Sequence, residues 1–356
     1  MHLSHLILQN FRSYDQENFQ FDPGVNLIIG PNGSGKTNIL EAIYFLSSGK
    51  SFRSSSLSQL LNWDQNFTTV VGQITDNREL VTLEAQLIKD PARVSLSRKF
   101  LIDQVVKTRA KYLGALKTVI FEPEDIRLVT GSPSRRRDYL DSVFASVEWR
   151  YVQSLSQFNR ALKHRNELLD LIRDGKSHRS ELFYWDQSLI KNDNIIHEYR
   201  QKYIKSVNLF FQNHSHPEIQ TLFLNYRSSV LTTEKLDKNF DLDLRFGHTQ
   251  AGLHRDDFSF DNSIFLSPDK NLAFWGSRGQ QRLAVLALRL GQIDYLENNY
   301  SQKPILLLDD IFSELDASHR QLVVAICQKY QTIFTSAEPS VAPILPNSHL
   351  INLSTA

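Results

Sequence analysis

Gly30-Pro31-Asn32-Gly33-Ser34-Gly35-Lys36-Thr37 is the stretch that decides the fold of this chain. It fits the pattern G-x-x-x-x-G-K-[ST], which forms a phosphate-binding loop when a strand precedes it and a helix follows it. The apolar run Val25–Ile29 predicts the strand, and the run Asn38–Leu46 predicts the helix. A chance glycine-rich turn is the alternative, and it is disfavoured because strand, loop and helix all lie where the motif requires them.

The chemistry of the loop follows from its residue types. Its glycines allow backbone turns that expose consecutive N–H groups, and the N-terminus of the next helix adds its positive dipole end. Lys36 is expected to reach the β- and γ-phosphates of ATP, and the Thr37 hydroxyl to ligate Mg²⁺. The expected nucleotide contacts in the loop are Gly30, Pro31, Asn32, Gly33, Ser34, Gly35, Lys36 and Thr37.

Length and composition set the class of protein. The 356 residues are 41% hydrophobic and 22% charged, which is typical of a globular protein with more than one lobe. The single cysteine, Cys327, excludes an internal disulfide and fits a reducing cytoplasm. No run of 18 or more apolar residues and no apolar N-terminal segment occurs, so neither a membrane span nor a signal peptide is expected. Because the net charge is only +1, any DNA-binding surface must be a local patch.

The N-terminal segment predicts two strands that lead into the phosphate-loop strand. His2–Gln9 is the first, and the alternation of Phe19 and Phe21 with polar residues indicates the second. The turn Asn10–Tyr14 between them carries Arg12, which could approach the nucleotide from a distant part of the sequence. An ordinary surface position for Arg12 is the alternative that spacing leaves open.

Two further segments have a clear periodicity. Alternating residues predict an antiparallel meander over about 63–105, with turn signals at Asp76-Asn77 and Asp90-Pro91. The helical stripes Tyr151–Ile172 and Leu182–Phe210 are joined by a short polar turn, so they predict an antiparallel hairpin. The expected division is a discontinuous head of residues 1–125 and 215–356 and a helical lobe of residues 126–214.

Three consecutive arginines open a predicted helix after Ser132 and Pro133. Arg135, Arg136 and Arg137 oppose the helix dipole there, and a bound phosphate would remove that penalty. Residues 127–179 contain eleven Lys/Arg and six Asp/Glu, so this lobe is a candidate DNA footprint and the three arginines are candidate DNA contacts. Pairing with Asp138 or Asp141, or a solvated charged face, is the alternative.

Near the C-terminus, an apolar run ends in two carboxylates. Pro304–Asp310 predicts a buried parallel strand that would deliver Asp309 beside the phosphate loop, where it can hold Mg²⁺ through water. Asp310 could then orient or deprotonate the attacking water. Buried acids without a cation are costly, so a purely structural role is disfavoured.

Two polar segments remain open on residue type alone. Ser277 is a natural N-cap for the helix Leu283–Leu296, which is a weak signal by itself. The cluster His254-Arg255-Asp256-Asp257 could be a catalytic element, a polar network or a turn.

The order of these motifs resembles that of ABC-type ATPase heads. The phosphate loop, Ser277 with the following Gly-Gln-Gln, the Asp309–Asp310 pair and the segment Ser313–Asp316 occur in the same sequence there. The resemblance implies an ATP sandwich between two chains, in which Ser277 of one chain donates to the γ-phosphate held by the other. It also implies that Asp316 couples the two sites across the dimer. The residues implied in catalysis are Asp310, Lys36 and, in trans, Ser277.

Four segments narrow the resemblance to the RecF family of bacterial DNA replication and repair proteins. These are Asn10–Tyr14, Phe121–Asp141, Gly252–Phe258 and Leu306–Asp316. The similarity runs over essentially the whole chain. It implies an α/β fold, namely a P-loop ABC/SMC-type ATPase head with an antiparallel β meander and a short helical-hairpin lobe. SMC proteins, by contrast, extend this hairpin into very long coiled coils.

The family resemblance also implies a function. Members bind ATP and Mg²⁺, form an ATP-dependent homodimer, bind DNA at single-stranded/duplex junctions or gaps, act with RecO and RecR to load RecA, and support the SOS response in the cytoplasm. Arg278 and Leu253 depart from the expected pattern, where Gln and Pro are usual. Asp310 is shorter than the Glu of many ABC ATPases, which implies slow, DNA-stimulated hydrolysis that acts as a switch. A transporter ATPase subunit and a structural module with a degenerate nucleotide site are the competing functions.

Overall fold

Two compact units make up the chain, for which a computed structural model describes residues 1–54, 56–76, 79–90, 95–265, 270–300 and 302–354. Unit 1 comprises residues 1–125 and 292–356, and unit 2 comprises residues 126–291. Residues 215–291, which the sequence analysis grouped with the head, pack within unit 2. The predicted domains therefore differ from the two packing units in where they place residues 215–291. The division into a discontinuous head and a helical lobe stays a prediction.

The strands are numbered along the chain. They are β1 (His2–Phe11), β2 (Tyr14–Gln20), β3 (Val25–Ile29), β4 (Phe67–Asp76), β5 (Glu79–Asp90), β6 (Ser95–Ile102), β7 (Val105–Lys107), β8 (Thr118–Phe121), β9 (Leu222–Arg227), β10 (Asp257–Asn262), β11 (Ile305–Asp309), β12 (Thr332–Ser336) and β13 (His349–Asn352).

The helices are numbered in the same way. They are α1 (Lys36–Ser48), α2 (Arg109–Tyr112), α3 (Arg127–Thr130), α4 (Pro133–Ala145), α5 (Trp149–Arg173), α6 (Phe183–Asn213), α7 (Pro217–Gln220), α8 (Thr233–Phe246), α9 (Leu272–Trp275), α10 (Arg278–Tyr300) and α11 (Ala317–Cys327). Within the described ranges, no helix combines the length and the apolar character that crossing a bilayer requires.

Unit 1 contains two sheets with one helix between them. A parallel sheet has the order β13-β3-β12-β11-β8, and an antiparallel sheet has the order β2-β1-β4-β5-β6-β7. The predicted meander corresponds to β4–β7, although the turn residues Asn77 and Pro91 lie outside the described residues. Helix α1 contacts strands of both sheets and is buried on nearly every side, which explains its continuous apolar sequence.

Unit 2 is built around the predicted helical hairpin. Helices α5 and α6 have 25 and 31 residues and pack against each other. Arg165 interrupts the apolar stripe in the sequence, yet its side chain is 1% exposed and lies on the buried face of α5. It donates to Asp186 at 2.6 Å and to Asp243 at 2.7 Å. Ion pairs therefore replace apolar contacts at this position on the buried face of α5.

The core of unit 1 gives a stability prediction. Leu307 lies on β11 and is fully buried in the main apolar cluster, so Leu307→Ala should lower the free energy of unfolding by about 2–5 kcal/mol. Leu80→Ala is the control, because Leu80 is 60% exposed and its truncation should cost no more than about 0.5 kcal/mol. Denaturant unfolding of both variants measures the difference. Equal losses would contradict the burial of β11.

Candidate functional site

The predicted phosphate loop connects β3 to α1. Gly33 and Gly35 have φ of 85° and 93°, in the left-handed region that favours glycine. A Cβ atom on Gly35 would also lie 2.5 Å from the Tyr14 hydroxyl oxygen. Tyr14 therefore packs directly against the loop, and the motif needs glycine here for both conformation and space.

Lys36 is the first residue of α1 and is largely buried. Its Nζ donates to the carbonyl oxygens of Gly30 at 2.7 Å and Pro31 at 2.8 Å. Burial lowers the pKa of Lys36, while the negative charges of Asp310 and Asp309 oppose that shift. The ammonium group is thus held inside the loop, next to the two acids that the sequence predicted to share its site.

Thr37 and Asp309 meet at the carboxyl edge of the parallel sheet. Thr37 Oγ1 donates to Asp309 Oδ1 at 2.9 Å, although 272 positions separate the two residues. Thr335, at the end of β12, donates through its Oγ1 to the same oxygen at 2.7 Å. The structure brings the two predicted Mg²⁺ ligands together and adds the hydroxyl of Thr335 to them.

Asp310 follows β11 in an unusual backbone conformation. Its φ of 46° is uncommon for a residue other than glycine, and its N–H donates to the carbonyl oxygen of Thr335 at 3.1 Å. Burial raises the pKa of Asp310 above its ordinary value and the charge of Asp309 raises it further, while Lys36 lowers it. A carboxylate with a raised pKa beside a cation is a candidate general base.

Arg12 lies in the turn between β1 and β2, as predicted, and binds α1. Its Nε and Nη2 donate to the two carboxylate oxygens of Glu41, each at 2.8 Å. Glu41 is fully buried, lies four residues after Thr37 and also accepts from Ser51 Oγ at 2.5 Å. The sequence analysis missed Glu41, for which the only signal was one acid inside the apolar run Asn38–Leu46. A direct contact between Arg12 and a nucleotide stays a prediction.

Ser277 and Asp316 both cap helices. Ser277 belongs to unit 2, where Gln280 N–H donates to Ser277 Oγ at 3.3 Å and Ser277 N–H donates to Gln280 Oε1 at 2.9 Å. This is a capping box at the exposed start of α10. Asp316 Oδ1 accepts from His319 N–H at 2.9 Å at the start of α11, and that hydrogen bond lowers the pKa of Asp316. Their predicted roles across a dimer stay predictions.

Two of the three consecutive arginines have internal partners. Arg136 donates to both oxygens of Asp257, at 2.6 and 3.0 Å, and Arg137 donates to the carbonyl oxygen of Asp256 at 3.0 Å. Within the described chain, the Arg135 side chain has no hydrogen bond or ion pair. Asp141, one of the two alternative partners suggested for these arginines, accepts from Arg200 at 2.8 Å.

The cluster His254-Arg255-Asp256-Asp257 belongs to a polar network in unit 2. Asp256 is fully buried and accepts from Arg200 at 3.0 Å, from Tyr226 at 2.6 Å and from the N–H of Ser229 at 2.7 Å. These contacts join α6, β9 and the segment before β10. Of the three possibilities that the sequence left open, the structure favours the polar network.

Known proteins resemble this chain over nearly its whole length. The family model described as the RecF/RecN/SMC N-terminal domain matches residues 2–342. A protein named DNA replication and repair protein RecF, from Thermoanaerobacter sp. strain X514, is 35% identical over 349 residues, which is 94% of each chain. A RecF from Leptospira interrogans is 34% identical over 95% of this chain and 92% of the relative.

The chain belongs to the RecF family. A solved structure of the recombination mediator protein RecF with ATP, from the RecFOR pathway, has a TM-score of 0.83 and 31% identity over 96% of this chain and 93% of that chain. A Pyrococcus furiosus Smc head domain has a TM-score of 0.52 at 17% identity over 100% of this chain and 94% of that chain, which shows the fold alone. The predicted fold class is confirmed, and the transporter alternative is not favoured.

In this RecF-family chain, the Arg12–Glu41 pair gives a second stability prediction. Glu41→Gln would leave the Arg12 guanidinium, whose side chain is 19% exposed, without its counter-ion. Removing one partner of a buried pair costs about 3–5 kcal/mol. Glu17→Gln, on an exposed carboxylate of β2, is the matched control and should have little effect. Thermal or denaturant unfolding measures both, and equal stabilities would contradict a structural role for the pair.

Proposed function

We propose that this chain is an ATP-dependent DNA-binding switch of recombinational repair and replication. It dimerises on binding ATP, helps RecO and RecR to load RecA at single-strand gaps, and supports the SOS response. The observation that carries the proposal is the meeting of Thr37 and Asp309 beside Lys36 and the phosphate loop. The RecF–ATP structure, at 31% identity and a TM-score of 0.83, supports it.

The donor set of the site fits Mg²⁺. Thr37 Oγ1 and Asp309 Oδ1 are hard oxygen ligands that lie 2.9 Å apart, a separation that two ligands of one small ion can have. When bound, the ion neutralises charge on the β- and γ-phosphates. Lys36 binds the same phosphates by exchanging a loop carbonyl for a phosphate oxygen, and the N–H groups of Gly33–Thr37 bind the remaining oxygens.

Hydrolysis is assigned to Asp310. Its raised pKa brings the carboxylate closer to the operating pH than an ordinary Asp, which helps it to accept a proton from the attacking water. Its side chain is one methylene shorter than that of glutamate, so the carboxylate reaches less far towards the attacking water. Slow turnover therefore fits a switch that holds ATP for longer than a motor does.

Ser277 and Asp316 are assigned to the second chain of the dimer. Ser277 is exposed at the N-terminus of α10, where first-turn N–H groups favour an anion. Asp316 follows Asp310 by one short 3₁₀ turn, Ile311–Glu314, so a change at Asp310 can move the start of α11. Both assignments rest on the order of motifs in ABC-type heads.

A basic segment of unit 1 supports DNA binding better than the arginines of α4. Residues 95–117 contain one acid, Asp103, and six cations, which are Arg98, Lys99, Lys107, Arg109, Lys111 and Lys117. Most cations of residues 127–179 have internal partners, mainly carboxylates. Arg137 donates to a backbone carbonyl oxygen, and those with a side-chain partner are Arg136, Lys163, Arg165, Arg173, Lys176 and Arg179.

Two arginines of this basic segment bind carbonyl groups. Arg98 donates to the Gly49 oxygen at 3.2 Å and Arg109 to the Ser48 oxygen at 3.1 Å, at the C-terminal end of α1. Burial lowers the pKa of Arg109 and the charge of Arg98 lowers it further, to about 10. Arg109 Nε is buried and has no hydrogen-bond partner among the described residues. The negative end of the α1 dipole offsets part of the repulsion, and a DNA phosphate would supply the anion that no carboxylate in the described chain provides.

Two substitutions test the proposed ATP-dependent dimerisation. Lys36→Ala should abolish ATP binding and therefore dimerisation, whereas Ser277→Arg should keep ATP binding but lose dimerisation, because Ser277 acts in trans. Sedimentation with and without ATP and Mg²⁺, together with equilibrium ATP binding, measures both. Ser156→Arg, on an exposed serine of α5, is the control and should dimerise normally. Dimerisation of Lys36→Ala with ATP would contradict the proposal.

Two double substitutions test the proposed DNA-binding surface. Arg98→Gln with Arg109→Gln should weaken duplex DNA binding and lower the slope of log affinity against log salt by about two units, because each lost phosphate contact removes about one. ATP binding should be unchanged. Lys163→Gln with Arg173→Gln removes two exposed, paired cations of α5 and should leave DNA affinity unchanged. Arg135→Gln tests the remaining arginine of α4. A loss in the α5 variant alone would move the DNA surface to the helical hairpin.

A further inference from the structure

Thr335 is a buried hydroxyl at the end of β12, between the loop strand β3 and the acid strand β11. Its Oγ1 donates to Asp309 Oδ1 at 2.7 Å and accepts from the N–H of Asp310 at 3.2 Å. The backbone oxygen of Thr335 also accepts from Asp310 N–H, at 3.1 Å. One residue therefore contacts both acids: its hydroxyl binds Asp309, and its hydroxyl and backbone oxygens both accept from the N–H of Asp310.

The hydroxyl of Thr335 helps to determine which carboxylate oxygen of Asp309 accepts hydrogen bonds from the protein. Thr37 and Thr335 both donate to Oδ1, and none of the hydrogen bonds found among the described residues reaches Oδ2. A hydrogen bond to a carboxylate is about twice as strong as a neutral one, so Thr335 resists rotation of the Asp309 side chain. It thereby holds Oδ1, the oxygen proposed to ligate Mg²⁺, 2.9 Å from Thr37 Oγ1.

The same residue supports the backbone of Asp310. A φ of 46° is strained for aspartate, and such a conformation persists only when its surroundings hold it. The Asp310 N–H lies within hydrogen-bond distance of both oxygens of Thr335. These two acceptors hold the N–H on β12, and the backbone N–H of Ala337, directly after β12, hydrogen-bonds the Asp310 carboxylate.

We propose that Thr335 is a positioning residue that orients Asp309 for Mg²⁺ and holds Asp310 in its left-handed conformation. This inference rests on the proposed function, because it assumes that Asp309 and Asp310 act on a metal-bound nucleotide. Thr335 itself touches neither nucleotide nor metal in this assignment. Its hydroxyl is the necessary group, whereas its methyl group serves packing.

Two substitutions separate the hydroxyl from the methyl group. Thr335→Val keeps the shape and removes the hydroxyl, and Thr335→Ser keeps the hydroxyl and removes the methyl. We expect Thr335→Val to raise the Mg²⁺ concentration for half-maximal ATP-dependent dimerisation by about 10-fold or more, as loss of an outer-shell partner does. Thr335→Ser should stay within about threefold of the natural chain, because the hydrogen bond remains. ATP binding in EDTA should be the same for all three.

A measurement without metal or nucleotide tests the same assignment. Amide hydrogen exchange of the peptide that contains Asp310 should be faster in Thr335→Val than in Thr335→Ser, since only valine removes one of its two acceptors. Equal exchange in the two variants, together with an unchanged Mg²⁺ requirement in Thr335→Val, would overturn this inference. The proposed function would not be affected by that result. Equal losses in both variants would assign the effect to packing and would also overturn it. A natural chain that neither binds ATP nor responds to Mg²⁺ would overturn the proposed function, and the inference with it.

Discussion

The parallel order of β3, β12 and β11 is the constraint on which the candidate site depends. Parallel strands end at the same edge of a sheet, so the phosphate loop after β3 and the acids after β11 must share that edge. The register aligns Ser336 with Ile29 and Asp309 with Thr335, so the three strand ends are level. Helix α1 is buried between the two sheets of unit 1, and its packing fixes the loop in front of these strand ends.

Local patterns predicted the elements of this arrangement but not how they meet. The phosphate loop, its strand and helix, and the helical hairpin each have a signal within one short segment, and the structure contains all of them. The position of β12 between β3 and β11 has no such signal, because strand order depends on contacts across the whole chain. Thr335 belongs to none of the sequence motifs, and only the fold shows that it reaches Asp309.

Charge pairing was the least predictable feature for the same reason. Arg136 and Asp257 are 121 positions apart, and Arg165 and Asp243 are 78 apart, so neighbours along the sequence suggested other partners. Arg165 and Arg200 are 1% and 0% exposed, and each contacts two carboxylates. Replacing such a pair with apolar residues is often neutral for stability, whereas losing one partner is costly. Their effect in unit 2 is to hold α5 and α6 in one packing arrangement against α8 and the segment before β10.

An excess of cations predicts a polyanion surface only when the cations lack internal partners. The eleven cations of residues 127–179 outnumber the acids by five, yet most of them bind carboxylates or carbonyl groups within unit 2. A phosphate that competes for a paired guanidinium must first break that pair, which removes much of its gain. Arg98 and Arg109 differ, because neither has a carboxylate partner among the described residues, and both bind carbonyl groups at the negative end of α1. They sit at the opposite end of the same helix that presents Lys36 and Thr37, so one rigid element connects the proposed DNA contact to the proposed nucleotide site.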